Sequence, residues 1–246
     1  MDVPFSHLHQ DQAGSWMRHA RVWPFLLAVL AVLAGMFAPA LLFPAEAKGA
    51  VGEMIVLKGR AIVIRGSRTI VVRRRLVLES GDRVRTGAKG KVQVRYFAPR
   101  RGSGFIATRN TVFVVREPIK RKKTYLLRLV WGAIRSRLTA FSRRRPYMRT
   151  RTAFIGVKGT DFIVYVKRKN ASEFIGVEGL IEAVSRSRPE FSLRIGKRQW
   201  GEIVEGEKPK PPIRVPDSLW FPALREFSFP GETPPIAPPV APGTGQ

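Results

Sequence analysis

Between residues 51 and 205 apolar side chains alternate with polar ones or gather in short β-branched blocks, and no window sustains the helical period. Val92, Val94 and Tyr96 alternate with Lys91, Gln93 and Arg95, and Tyr125, Leu127, Leu129 and Trp131 step the same way. That is the pattern of a strand with one buried face. Phe162-Ile163-Val164-Tyr165-Val166 is apolar on both faces and predicts a strand enclosed by packing on either side. Ile62-Val63-Ile64 and Ile70-Val71-Val72 flank Arg65-Gly66-Ser67-Arg68, which predicts a hairpin turn. Glycines recur from Gly52 to Gly196 at hairpin-like intervals. The expected class is all-β over residues 48–206: a sandwich, roll or solenoid-like stack of short antiparallel strands. Phe154-Ile155-Gly156-Val157-Lys158-Gly159 returns as Phe174-Ile175-Gly176-Val177-Glu178-Gly179, which marks either stacked hairpins or convergent strand-and-turn composition.

Both ends depart from this pattern. From Val22 to Ala45 no charged residue occurs, with Arg18 and Arg21 just before the run and Ala45-Glu46-Ala47 just after it. A positive flank, an apolar run and a small-x-small site make a signal peptide over 1–47, cut after Ala47. Residues 22–43 are also long enough for a membrane helix, since about 20 residues span the hydrocarbon. Pro39 and Pro44 weaken that helix, so cleavage is preferred to a retained anchor. Either way the remainder is expected to be exported, to the periplasm or cell envelope, tethered to the inner membrane if 22–43 stays attached. Residues 1–16 hold Asp2 and Asp11 and no Lys or Arg, so Met17 would start a cleaner signal than Met1. At the other end, residues 207–246 contain 11 prolines and read as a tail of extended polyproline geometry, not as core. Within it, Leu219-Trp220-Phe221 and Phe227-Ser228-Phe229 are aromatic enough to dock back as a strap, the preferred reading, or to serve as a peptide for a partner.

Charge changes the picture most. Lys and Arg number 44 against 18 Asp and Glu, a net charge of +26, and a field of that size attracts polyanions. Removing 1–47 takes two of the basic and three of the acidic residues, so the charge rises to +27. It also removes His7, His9 and His19, the only histidines of a chain that has no cysteine. Disulfides, thiolate chemistry and Cys- or His-based metal sites are thereby excluded from the exported part. Its carboxylates are spread singly among basic neighbours, which lowers their pKa, the wrong direction for a general acid. We therefore expect no enzyme: no catalytic residue, no cofactor and no metal. Three clusters are candidate anion-binding groups: Arg73, Arg74 and Arg75; Lys120, Arg121, Lys122 and Lys123; and Arg143, Arg144 and Arg145. The bland alternative is a solvated face that keeps the protein soluble. Arg145-Pro146-Tyr147-Met148-Arg149 interleaves aromatic and cationic side chains as nucleic-acid surfaces do, but export disfavours that partner except as extracellular DNA.

Three stretches carry a family resemblance. Val51-Gly52-Glu53-Met54-Ile55-Val56-Leu57-Lys58-Gly59 opens the domain; Gly81-Asp82-Arg83-Val84-Arg85-Thr86-Gly87 precedes Gly90-Lys91-Val92-Gln93-Val94; and the most specific runs from Met148 through Arg149, Thr150, Ala153, Gly159, Thr160 and Asp161 to Phe162. In this order they resemble the FecR domain of bacterial envelope proteins, whose signature reads R-T-P-x-A-x-x-x-V-R-G-T-x-F. Arg151 and Lys158 replace a Pro and an Arg of that signature, and Pro99-Arg100-Arg101-Gly102-Ser103-Gly104 stands where the family has an acidic turn. The resemblance implies a domain that acts by contact with other envelope proteins. The family's ferric-citrate regulator carries a cytoplasmic sigma-factor-binding domain, for which the 21 residues before the apolar run are too few.

Read from the residues themselves, the motif positions Gly81, Asp82, Thr86, Gly87, Arg149, Thr150, Gly159, Thr160, Asp161 and Phe162 are mostly architecture. Gly159 admits positive φ, Thr160 and Asp161 bond nearby amides of a turn, Phe162 starts a buried strand, and Gly81-Asp82 repeats the device. The expected role is a non-enzymatic binding or scaffolding module for an envelope protein or an anionic envelope polymer or lipid surface. Membrane contact would come through 22–43 if uncleaved. Two alternatives stay open: a signalling component that senses an envelope partner alongside a separate regulator, and a nucleic-acid-binding basic protein. Fused to a reporter that works only in the periplasm, residues 48–246 are expected to give activity when the native first 47 residues drive them; a reporter active only in the cytoplasm would remove the localisation.

Overall fold

The computed structural model describes residues 49–97, 102–117, 125–138, 147–157 and 159–236. The expected signal or anchor, and the basic runs 120–123 and 143–145, lie outside the described residues. In chain order the first strands are β1 (Ala50–Lys58), β2 (Ala61–Arg65), β3 (Arg68–Val72), β4 (Arg75–Glu79), β5 (Arg83–Thr86) and β6 (Lys91–Tyr96). Then come β7 (Gly104–Ala107), β8 (Val112–Val115), β9 (Leu127–Leu138), β10 (Met148–Arg149), β11 (Ala153–Val157) and β12 (Thr160–Arg168). The last are β13 (Ala171–Glu178), β14 (Ile181–Ser185), β15 (Ser192–Ile195), β16 (Gln199–Val204) and β17 (Ile213–Arg214), followed by helix α1 (Asp217–Glu226). The expectation of a mostly β protein holds.

The strands make two layers. Sheet A runs β4-β1-β6-β7-β9-β12-β13-β16-β17, antiparallel throughout. Sheet B runs β3-β2-β5-β8-β9-β10-β11-β14-β15, antiparallel except for the β9/β10 pair. Strand β9 belongs to both: Leu127 to Trp131 pair with β8, and Gly132 to Leu138 pair with β12. The corner between the halves falls at Gly132, whose φ is +93°; a Cβ there would lie 2.5 Å from the Thr111 hydroxyl oxygen. Strands that switch layers turn at bulges or glycines, and this one uses both.

Between the layers lies the main core. Met54, Val92, Val94, Phe105, Ile134, Phe162 and Phe174 come from sheet A, and Val63, Val84, Phe113, Leu129, Ile155 and Ile181 from sheet B. Phe105 meets Phe113 edge-to-face across the interface, with ring centroids 5.1 Å apart. Each such side chain, fully buried, contributes about 1.5–3 kcal/mol. The period-2 readings are observed at Val92, Val94, Tyr96, Leu127 and Leu129, all buried. Trp131 departs from its series and stands 42% exposed, because the bulge opposite Val112 and Phe113 reverses its direction.

The repeated F-I-G-V segments are not stacked hairpins. One ends β11 and leads from sheet B to sheet A; the other ends β13 and leads back. Their turn glycines, Gly159 at φ +56° and Gly179 at φ +77°, lie together: a Cβ on Gly179 would sit 2.7 Å from the Gly159 carbonyl oxygen. The echo marks two adjacent crossings between layers.

The segment after Glu207 also differs from the expected polyproline tail. β17 extends sheet A, and α1 lies on its outer face. Trp220, Phe221, Ala223 and Leu224 are buried, as are Phe227 and Phe229 beyond the helix. Ten residues are too few to hold a helix alone, so packing on Ile106, Ile163 and Ile175 of sheet A stabilises it. The aromatic strap does dock. Gly132→Ala is expected to destabilise the protein by about 1–3 kcal/mol, read as a lower urea midpoint at unchanged m-value. An unchanged midpoint would show that the corner does not depend on that glycine.

Candidate functional site

The motif residues act first as architecture. Gly81 has φ +100°, and the adjacent Asp82 is buried, accepting the Glu79 amide at 2.9 Å. Its carboxylate also takes both Nε and Nη2 of Arg65 at 2.9 and 2.8 Å. Hydrogen bonding to Asp82 raises the Arg65 pKa above that of a free guanidinium despite partial burial. Thr86 donates to the Thr108 carbonyl at 2.6 Å and accepts the Thr111 amide at 2.8 Å, tying β5 to the β7–β8 turn. The Gly87 carbonyl accepts the Gly90 and Asn110 amides. Thr150 accepts the Ala153 amide at 2.9 Å and closes the β10–β11 turn. Thr160 starts β12 and is buried with no hydrogen-bond partner for its hydroxyl among the described residues, so it does not bond a turn amide as expected, and Phe162 packs edge-to-face on Tyr147 in the core.

Asp161 is not a turn ligand of the expected kind. It sits in β12, opposite Arg137 of β9, and its two oxygens face Arg135 and Arg137. Arg135 is 2% exposed, on the outer face of sheet A between Ile106 and Ile163 in the cross-strand register. Its Nε and Nη2 donate to Asp161, each at 2.8 Å. Glu232 of the strap accepts from Nη1 and Nη2 of Arg135 at 3.0 and 2.8 Å, and from Arg137 at 3.0 Å. The Phe229 ring lies under both guanidiniums, 5.4 and 4.4 Å from their centres. Lys91 adds a bond to the Ser228 carbonyl at 3.1 Å. Burial opposes the charge of Arg135, but its bonds and attraction to Asp161 and Glu232 outweigh it and raise the pKa. Burial likewise pushes the Glu232 carboxyl up, while the Phe229 amide and Arg135 pull it further down, so it ends below its ordinary value.

Beside α1 is an open cavity of about 520 Å3, floored by Tyr165 and Trp200 and flanked by Trp131, Glu173, Glu226 and Lys167. Burial, followed by the charges of Glu226 and Glu173, raises the Tyr165 phenol. Lys167 stacks on Tyr165 at 4.6 Å and approaches Glu173 at 3.7 Å.

The outer face of sheet B has a different character. One cross-strand row reads Ile64, Arg83, Val114, Arg128, Arg149, Phe154 and Val184. Arg128 and Arg149 are direct cross-strand partners, an arrangement that like charges normally avoid. Arg149 is half-buried, its guanidinium 5.5 Å from the Tyr125 ring centre and 5.8 Å from that of Phe154. Arg186, just past β14, has its guanidinium 5.7 Å from the Phe154 ring centre and donates to the Arg151 carbonyl. The Nε atoms of Arg149 and Arg186 are buried with no hydrogen-bond partner among the described residues. Burial first, then the charges of Arg149 and Arg128, lower the Arg186 pKa, with Glu205 acting weakly the other way.

Of the proposed anion-binding residues, only Arg73, Arg74 and Arg75 are described; they are exposed at the β3–β4 turn, and Arg75 approaches Glu53 at 3.6 Å. Arg149 was expected on motif grounds alone. Arg128 and Arg186 carry no local signal, since only the strand register brings them to it. Among the described residues no three His, Cys, Asp or Glu side chains gather into a metal-binding group, and no helix is long and apolar enough to cross a membrane.

No family model matches the chain, and the search of curated proteins returns no match. Among solved structures the chain is similar to two crystal structures of a "putative anti-sigma factor" from Parabacteroides distasonis, with TM-scores of 0.44 and 0.43 and 16% identity. Each match covers 54% of this chain and 59% of that protein's length.

Asp161→Asn is expected to cost about 3–5 kcal/mol, because it leaves a buried guanidinium short of a counter-charge. Glu232→Gln is expected to cost about 1–3 kcal/mol and to speed hydrogen exchange across 217–232 while sparing the inter-sheet core. Because the folded Glu232 pKa is depressed, its contribution is complete above the unfolded value of about 4.3 and is lost as pH falls through the lower folded value. The stability gap between wild type and Glu232→Gln should therefore close on acidification. A gap that persists in acid would mean the carboxylate charge is not what holds the strap.

Proposed function

We propose that the protein is an exported, non-catalytic binding module of the FecR-domain kind, which holds an anionic component of the cell envelope against the outer face of sheet B. The segregation of charge carries this reading. Six acids on sheet A or its strap, namely Glu53, Asp161, Glu173, Glu202, Asp217 and Glu232, stand within salt-bridge distance of a cation. On sheet B, Arg65 is served by Asp82 of the β4–β5 turn and by Glu79 at the end of β4 in sheet A, and Glu182 approaches Arg194 at 3.8 Å. Arg83, Arg85 and Arg128 remain exposed on the outer face, beside half-buried Arg149. A sheet face with a large excess of cations focuses polyanions and steers their encounter.

The motif order, the apolar N-terminal run with its A-x-A site and the excess of Lys and Arg support the same placement. The carboxylates of Asp82 and Asp161 are occupied by bidentate arginines, an arrangement suited to holding structure and not to moving protons.

The test is co-sedimentation of the protein with vesicles of phosphatidylcholine alone or mixed with phosphatidylglycerol. Binding to the mixed vesicles only is expected, weakening steeply as ionic strength rises from about 0.05 to 0.5 M. Arg83→Glu combined with Arg85→Glu should weaken it at least severalfold. Equal binding to both vesicles, or none to either at low salt, would falsify the reading. Tighter binding to duplex DNA that survives physiological salt would replace it with the nucleic-acid one.

A further inference from the structure

We infer that Arg128, Arg149 and Arg186 form a discrete seat for the phosphate-monoester headgroup of a lipid, at the centre of the open face of sheet B. The inference rests on the reading above and gives it a location and a ligand. Three like charges converge here and no carboxylate answers them within ion-pair distance among the described residues; Glu205 reaches Arg186 only by its longer-range field. Nor can a counter-ion come from the undescribed internal segments, because residues 98–101, 118–124, 139–146 and 158 contain no Asp or Glu. A folded chain keeps such a cluster at a cost in self-repulsion, and an anion from outside removes that cost.

The cluster is also fixed in place. Phe154 backs Arg149 and Arg186, Tyr125 backs Arg149 again, and the Nε atoms of both arginines are buried. Planar, pre-set donors match the tetrahedral oxygens of phosphate in a bidentate manner that ammonium groups do not reproduce. A monoester carries about −1.5 to −2 at neutral pH and so neutralises more of a three-guanidinium site than a singly charged diester does.

The surroundings point to a lipid as the bearer. Along the same outer face, Ile64 is 40% and Val71 57% exposed, and Ile62, Val112 and Val114 are half-buried. Apolar side chains interleaved with arginines suit the boundary between headgroups and acyl chains, where cationic side chains are drawn to an anionic leaflet.

The protein is presented with phosphatidylcholine vesicles containing either phosphatidate, a monoester, or phosphatidylglycerol, a diester. The expected result is about tenfold tighter binding to phosphatidate. Arg149→Lys and Arg186→Lys keep charge but not the planar fork, and each should bring phosphatidate binding down to the phosphatidylglycerol level with the thermal midpoint preserved. Arg73→Gln with Arg74→Gln, remote from the seat, should weaken both lipids alike. If the native protein binds the two lipids equally, or if the lysine variants keep the preference, the seat is refuted while the cationic face stands. Binding to neither lipid refutes the face and the seat together. Free glycerol 3-phosphate should compete for phosphatidate vesicles without displacing phosphatidylglycerol; displacement of both would make the site one for soluble phosphate. If duplex DNA binds more tightly than either vesicle and the lysine variants abolish that binding, the lipid assignment falls.

Discussion

The buried guanidinium of Arg135 is the contact on which the layering of sheet A depends. It stands on the outer face of a central strand, between isoleucines, where an unpaired charge would cost several kcal/mol. Asp161 on the neighbouring strand takes two of its five N–H donors, Glu232 of the strap takes two more, and the Phe227 carbonyl accepts from Nη1 at 3.4 Å. The strap is therefore placed by two kinds of force at once. Trp220, Phe221 and Phe227 supply burial that would tolerate some sliding, whereas the paired carboxylate and guanidinium planes accept one register. Phe229 joins the two by lying beneath both arginines and giving its amide to Glu232 at 2.9 Å.

That arrangement has a consequence on the other side of the molecule. A chain with so few acids, several of them drawn to sheet A and its strap, leaves sheet B with little to balance its arginines. Its outer face is also left uncovered by any described element, so the unbalanced charge stays in contact with solvent. The same allocation that fixes the strap thus creates a cationic surface opposite it. In this sense the fixed strap and the cationic face derive from one distribution of carboxylates, and moving a single Glu from the strap to β11 would weaken both.

The layers themselves were legible in the sequence wherever one physical rule acted alone. Strand β6, the β2–β3 hairpin and the doubly apolar β12 follow from side-chain period and turn chemistry. Gln93 reads as solvent-facing but is buried, because Lys91 and its neighbours lie under a segment 137 residues further on. Trp131 reads as core but points outward, because a one-residue bulge is invisible to a period-2 count. Helix α1 escaped detection since its ten residues hold Pro222 and are held by sheet A, not by propensity. The arginine seat was hidden for a topological reason: Arg128, Arg149 and Arg186 are separated by 21 and 37 positions and meet only through the register of β9, β10 and β11.

The motif residues connect these two outcomes. Thr150 closes a turn that sets Arg149 directly opposite Phe154, so a buried hydroxyl with no chemistry of its own fixes the stacking surface on which two arginines rest. Nine residues further, the positive φ of Gly159 turns the chain from sheet B into sheet A and delivers Asp161 to Arg135. One short stretch therefore places a cation where it lacks a partner and an anion where a cation needs one. A sequence in which only the turn residues of that stretch are retained would keep the two-layer fold, yet would have neither the seat nor the locked strap. The architecture of the motif and the charges hung on it are separable, and the proposed partner would be drawn by the charges alone.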